Sequence, residues 1–249
     1  EIVLPENYPG IPSGPEPKWY QRRRAESRKT VEGKDSSGDS MKAWRRLVRN
    51  YAGLCSLVDQ ALARILWALE ASGQAENTII VYTSDHGDMM GSHSMFAKQV
   101  MYEEAMRVPF LLRAPFRGQR PMHVRQPVSH IDMVPTLLDL LGRKNAGEGL
   151  PGQSLTPVMQ GTPRPDNYVF LEWTGDVKDS GEGPNGRTVI SPGGWKLVLY
   201  DTDQSLLFNR NTDPLEMNNL YGKVDDRRLR AKLEDWQKRT GDRFALPRA

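Results

Sequence analysis

Apolar residues follow two rhythms along the first two-thirds of the chain. From Ser40 to Ser72, residues such as Trp44, Leu47, Val48, Tyr51, Leu54, Cys55, Val58, Leu62, Ile65 and Leu69 recur every three or four positions. That spacing puts side chains on one face of an α-helix, with Ser40 suited to cap it and Gly73 to stop it. Thr78–Thr83 (TIIVYT) is then apolar without alternation, the pattern of a strand covered on both faces. Val108–Arg113 repeats the pattern, with Pro109 at its start, where a missing N–H donor is tolerated. Between the two strands a short helix is predicted from Val100 to Met106, and a third short strand at Arg125–Val128. Ser129 or Asp132 is expected to cap a helix that turns Ile131, Val134, Leu137, Leu138 and Leu141 inward and ends at Gly142. Pro135 fits that helix only in its first turn. Residues 143–165, rich in Gly and Pro, read as loop.

The last eighty or so residues change character. Tyr168–Trp173 and Arg187–Ile190 read as strands, and Lys196–Tyr200 and Ser205–Asn209 flank Asp201-Thr202-Asp203-Gln204 as a hairpin. Asp213-Pro214 marks a turn, and Leu229, Leu233 and Trp236 give one amphipathic helix before Gly241. Strands followed by a helix predict a small α+β subdomain with an antiparallel sheet. At the other end, residues 1–39 are Pro-rich, with an Arg22-Arg23-Arg24 run and a polar patch from Gly33. They are expected to form an extended arm with little regular structure, the arginines being a solvated surface turn. The predicted organisation is therefore an arm over 1–39, an α/β region over 40–165 and the small subdomain over 166–249.

Composition narrows the partners. The chain has 34 Lys and Arg against 31 Asp and Glu, net +3, with the two signs mostly interspersed. This reads as solvated surface, not a nucleic-acid face. The single cysteine, Cys55, excludes an intramolecular disulfide and lies on the apolar stripe, where a small core residue is expected. No unbroken run of 18 apolar residues occurs, so no membrane span is expected. The absence of Asn-x-Ser/Thr acceptors leans towards a bacterial source. Glu1-Ile2-Val3-Leu4-Pro5 reads as mid-protein sequence and leaves the compartment open.

The candidate chemistry begins where the first strand ends, at Ser84-Asp85-His86-Gly87-Asp88. Two metal-ligand residue types, Asp85 and His86, stand at the carboxyl edge of a sheet, where open α/β folds place their sites. Met90-Gly91-Ser92-His93, Lys98, Tyr102-Glu103-Glu104, Arg107-Val108-Pro109 and Arg113-Ala114-Pro115 follow in order, then Ser129-x-x-Asp132-x-x-Pro135-Thr136. Together with Tyr51, Asp59 and Ile65 upstream, this series resembles the second half of the type I sulfatases of the alkaline phosphatase superfamily, over residues 40–220.

The resemblance implies an α/β fold: part of an alkaline-phosphatase-like mixed sheet flanked by helices, with a small C-terminal α+β antiparallel-sheet subdomain. It implies Asp85 and His86 as ligands of one divalent metal. Calcium is the usual family metal, with magnesium or manganese open because imidazole is soft for calcium. Lys98 is implied as the catalytic lysine that reaches the substrate's sulfate and leaving group. His93, in the intervening loop, is a second candidate for contact with substrate. The remaining titratable residues are read structurally: His123 on the surface, His130 at a helix start, and Asp88, Glu103 and Glu104 as loop or capping acids. Arg107 is expected to pair with one of these acids, and Asp59 to be either buried against a base or at the stripe's polar edge.

The substrate class implied is a small-molecule or glycan sulfate ester. The family's Cys/Ser-x-Pro/Ala-x-Arg motif, whose first residue becomes the formylglycine nucleophile, is absent: Cys55 is followed by Ser56-Leu57-Val58. The paired acidic ligands and upstream His and Lys are absent too. A missing N-terminal half of the same fold is thus the expected partner, and the chain alone is expected to be inactive. A phosphonate monoester or phosphodiester hydrolase of the same superfamily, or a non-catalytic metal-binding module, are the alternative readings.

Overall fold

Helix α1 (Lys18–Glu32) forms where an extended arm was expected. Pro15 and Pro17 precede it, in keeping with the tolerance of helix starts for proline. Its buried positions are Trp19, Tyr20, Arg24, Ser27 and Val31, spaced three to four apart. Two of the five are polar and are buried because they hydrogen-bond, so the apolar rhythm alone does not reveal the helix. The computed structural model describes residues 2–34, 38–118, 121–175 and 183–248. The chain forms two compact units, Glu1–Ser13 with Lys18–Phe116, and Gly14–Pro17 with Arg117–Ala249. The division between these units falls at Phe116, and residues 18–32 belong to the first unit as folded structure.

In the first unit, α2 (Ser40–Ala71) is the predicted long helix. Its cap is Asp39, one residue earlier than expected, whose carboxylate accepts the Lys42 N–H at 3.1 Å. Gly73, just past its end, takes the left-handed conformation at φ 71°, as a helix stop requires. Ala43 and Trp44 are its only buried residues. Trp44 packs with Val31 of α1, and with Leu4, Tyr8, Leu47 and Phe96. Further along, the apolar stripe is bare: Leu54, Val58 and Ile65 are 51–65% exposed. Cys55 is exposed as well, so it is not the core residue its place on the stripe suggested, and Asp59 is likewise in solvent. By length and composition α2 could cross a membrane, and it is the one helix among the described residues of which this holds.

Strands β1 (Ile80–Thr83) and β2 (Phe110–Arg113) pair antiparallel, with Ile80 opposite Arg113 and Thr83 opposite Phe110. Tyr82 and Leu111 remain exposed, so strands expected to be covered on both faces are half open here. The short helix α3 (Glu103–Met106) lies between them in sequence.

In the second unit, α4 (Met133–Leu140) follows a 3₁₀ turn at His130–Asp132 and holds Pro135 in its first turn. The buried residues are Asp132, Pro135, Thr136 and Leu140, while Ile131, Val134 and Leu141 are exposed. The expected apolar face is therefore not the inward one. The cause is a polar network: the Asp132 carboxylate accepts the Gln153 N–H at 2.8 Å and pairs with Arg164 at 3.0 Å. The Thr136 hydroxyl accepts the Leu155 N–H at 2.8 Å. These bonds tie α4 to the segment read as loop, which includes the short helix α5 (Thr156–Met159). No strand forms at 125–128.

The predicted subdomain sheet is present as β3 (Val169–Trp173), β4 (Gly186–Ile190), β5 (Trp195–Tyr200) and β6 (Leu206–Asn209), antiparallel throughout in sequence order. Val189, Leu197, Leu199 and Leu207 form one core with Leu229 and Leu233 of α6 (Arg227–Thr240). Gly241 stops α6 at φ 73°. Arg187 forks onto Asp242 at 2.7 and 2.9 Å, and Lys196 is buried against Glu216 at 2.8 Å.

Candidate functional site

The chain leaves strand geometry directly after Thr83. Ser84 Oγ donates to the His86 carbonyl at 2.9 Å, and the Asp85 carboxylate accepts the His86 N–H at 3.0 Å. Adjacent residues of a strand point to opposite faces. This local turn instead brings Asp85 Oδ2 to 3.5 Å from His86 Nε2. Gly87 then runs against α3, its N–H donating to the Ala105 carbonyl at 2.8 Å. A Cβ at Gly87 would lie 2.0 Å from the Glu104 carbonyl oxygen, so glycine is required here by close backbone approach.

His86 has one tautomer compatible with its contacts. Nδ1 lies 2.7 Å from the Gly87 carbonyl oxygen, an acceptor only, so Nδ1 carries the proton and Nε2 the lone pair. Lys98 Nζ donates to that lone pair at 2.6 Å. Asp85 Oδ2, His86 Nε2 and the Lys98 ammonium thus converge on one solvent-facing point. The Asp85 carboxyl is held below its ordinary value, first by the backbone N–H of His86. A hard oxygen and an imidazole lone pair, the imidazole oriented by a carbonyl on its other nitrogen, suit a divalent cation. They make two ligands of the six or so such a cation takes. Among the described residues no group of three or more His, Cys, Asp or Glu gathers anywhere.

Lys98 sits on a loop that is tightly determined. Asp88 Oδ1 accepts the N–H groups of both Met90 (3.0 Å) and Ala97 (2.9 Å), and Met89 N–H donates to the Ala97 carbonyl at 2.8 Å. Five non-glycine residues, Met90, His93, Ser94, Ala97 and Gln99, have φ between 41° and 80°. Such left-handed residues are held only where the surroundings over-determine them. Helix α1 supplies the surroundings: Arg24 Nε donates to the His93 carbonyl (2.8 Å), Trp19 Nε1 to the Gln99 carbonyl (2.8 Å), and the Tyr20 hydroxyl accepts the Met101 N–H (2.7 Å). This contribution of α1 was invisible to apolar periodicity. The one sequence signal was Trp19, Tyr20 and Val31 at helical spacing.

The other expected residues separate. His93 is fully buried, its ring stacked on Tyr102 at 3.8 Å and 7°. It is packed inside the loop and does not join the Lys98 point, where it was expected as a second substrate contact. Asp88 is the loop's hydrogen-bond pin, and Glu104 accepts from Asn7 at 2.9 Å. Arg107 is exposed and forms no ion pair among the described residues. His123 is exposed, as expected.

With that geometry in place, comparison with known proteins defines the class. The sulfatase family model matches residues 11–143, and that of the N-sulphoglucosamine sulphohydrolase C-terminal region matches residues 91–241. The chain belongs to the sulfatase family and corresponds to the C-terminal portion of its members. It is 32% identical over 254 aligned residues to an N-acetylglucosamine-6-O-sulfatase of Bacteroides thetaiotaomicron, covering 94% of this chain and 44% of that protein. A choline-sulfatase of Rhizobium meliloti is 31% identical, over 75% of this chain and 36% of its own. Among solved structures, a putative sulfatase from Bacteroides thetaiotaomicron superposes with a TM-score of 0.74 at 25% identity, over 99% of this chain and 54% of that one. A structure solved in complex with its substrate D-glucosamine-2-N,6-O-disulfate gives 0.69 at 29%, over 90% and 46%. The fold is that of the alkaline-phosphatase-like sulfatases, of which this chain spans about half. It spans less than half the length of the curated relatives.

Proposed function

We propose that this chain supplies one side of a sulfate-ester hydrolase centre, with the nucleophile and the remaining metal ligands contributed from outside these residues. The observation that carries the reading is the convergence of Asp85, His86 and Lys98 on one open point. In this reading the Asp85 carboxylate and His86 Nε2 hold one divalent cation, calcium or else magnesium or manganese. When bound, that cation supplies positive charge to the sulfate oxygens. The Gly87 carbonyl keeps the His86 proton on Nδ1, so that the Nε2 lone pair stays available to the cation. Lys98 turns its ammonium from His86 to the substrate. A sulfate monoester carries one negative charge, and charge builds on the leaving oxygen as the S–O bond breaks. A flexible ammonium with three donors can follow it.

The proposed substrates are sulfated amino sugars. The support is the naming of relatives that act on N-acetylglucosamine 6-O-sulfate or were solved with a glucosamine disulfate. Phosphonate monoester hydrolases share the fold at lower identity, so they serve as the comparison in the test.

In the intact parent protein, Lys98→Ala is expected to lower turnover of glucosamine 6-sulfate about a hundredfold, the loss typical of one oxyanion donor. Metal affinity, measured by calorimetry, should stay put. Asp85→Ala should weaken metal binding first. A Lys98→Ala enzyme with normal turnover refutes the assignment. Faster hydrolysis of a phenyl phosphonate ester than of any sulfate ester would move the protein to the other branch.

A further inference from the structure

Charge is distributed less evenly than the whole-chain balance suggests. Residues 18–49 contain eleven Lys and Arg and four Asp and Glu, a net of +7, whereas the rest of the chain, with 23 and 27, is net negative. The described acids of this segment are occupied locally. Glu26 is held by Arg22 (2.9 Å) and Arg23 (3.0 Å), Glu32 accepts from Ser40 (2.6 Å) and Trp44 (3.1 Å), and Asp39 caps α2. Along α2 no further acid occurs before Asp59.

Within that stretch Lys42, Arg45, Arg46 and Arg49 stand at i, i+3, i+4 and i+7, which is one face of a helix. Lys42, Arg45 and Arg49 are exposed and Arg46 is partly so. The face spans about 10 Å along the axis and lies opposite the apolar stripe through Trp44, Tyr51 and Val58. The stripe and the basic face thus point in opposite directions. Four cations on a rigid helix, with no acid among them, form an attractive field for a linear polyanion, and several kT can accumulate on such a face.

We propose that this face of α2 is a binding site for a polyanionic glycan chain, engaging its sulfate groups away from the Asp85–His86–Lys98 point. The choice of a sulfated glycan among polyanions rests on the sulfate-ester reading above; the existence of the site does not. The site would hold a polymeric substrate by residues other than those that meet the scissile bond.

The test uses the full chain and a heparin-type sulfated oligosaccharide, with affinity followed against salt concentration. The variant K42Q/R45Q/R46Q/R49Q removes the face. The variant R228Q/K238Q/R243Q/R248Q removes the same charge from exposed positions elsewhere. Circular dichroism checks that both stay folded. The α2 variant should bind at least about tenfold more weakly and with a flatter salt dependence, because fewer counterions are released, while the control keeps wild-type affinity. Equal losses in both variants, or none in the α2 variant, would overturn the site. Equally tight binding of duplex DNA of matched charge, or of anionic phospholipid vesicles, would overturn the glycan assignment. No turnover is measured, so failure here is distinct from failure of the proposed catalytic centre.

Discussion

Removing the Asp88 carboxylate should unfasten the loop that carries Lys98. One oxygen, Oδ1, accepts two backbone N–H groups, from Met90 and Ala97, and so closes the loop on itself immediately before Lys98. Against closure stand five non-glycine left-handed residues, each costing roughly 1 kcal/mol or more. Hydrogen bonds to an ionised acceptor contribute about 1.5–3 kcal/mol each, so the two bonds are of the same size as the strain they oppose. Asp88→Ala should therefore lower the free energy of opening by about 3 kcal/mol. That corresponds to roughly a hundredfold loss of protection against amide exchange at Met90 and Ala97. Asp88→Asn keeps an acceptor oxygen without its charge and should lose markedly less. The measurement is residue-resolved hydrogen exchange, with the β5–β6 amides as an internal reference. Unchanged protection at Met90 and Ala97 in Asp88→Ala, with the reference also unchanged, would show that α1 and the buried residues of the loop hold it without the carboxylate. Under the proposed function, the same variant should lower sulfate-ester turnover with little change in metal affinity, because the proposed ligands Asp85 and His86 precede the loop.

Gly87→Ala should be more damaging than an ordinary glycine substitution, because its Cβ meets backbone at 2.0 Å and cannot be accommodated by a side-chain movement; a melting temperature within about 2 °C of wild type would contradict this. Asp242→Asn should destabilise the second unit by about 3 kcal/mol near neutral pH, the cost of orphaning a largely buried Arg187. The Asp242 carboxyl is held well below its ordinary 3.8, chiefly by Arg187. Its stabilisation is therefore full above that ordinary value and is lost as pH falls towards the folded-state value. Denaturant titrations should show the wild-type advantage shrinking below about pH 4; an advantage constant to pH 2 would rule out the ion pair as its source. The 249-residue chain alone, lacking a nucleophile motif, should not turn over sulfate esters; activity abolished by Lys98→Ala would overturn that.

Local sequence was sufficient wherever a pattern depends only on neighbours along the chain. The α2 periodicity, the strands at Thr78–Thr83 and Val108–Arg113, the Asp201–Gln204 hairpin, and the glycine stops at Gly73, Gly142 and Gly241 were legible because they reflect backbone geometry and one-sided burial. Asp85, His86 and Lys98 were legible because motif order survives without coordinates. What faces inward was decided elsewhere. Arg24 and Ser27 are buried because they hydrogen-bond to a loop some seventy residues away, and no local rhythm encodes a partner at that distance. Asp132 and Thr136 turn α4 by binding backbone N–H groups of residues 153 and 155, against the apolar face its sequence displays. The converse holds on α2, whose stripe from Leu54 to Ile65 reads as core and stands in solvent. Periodicity specifies which side of a helix is apolar, whereas burial requires a surface to meet it, and that surface is a property of the assembled fold.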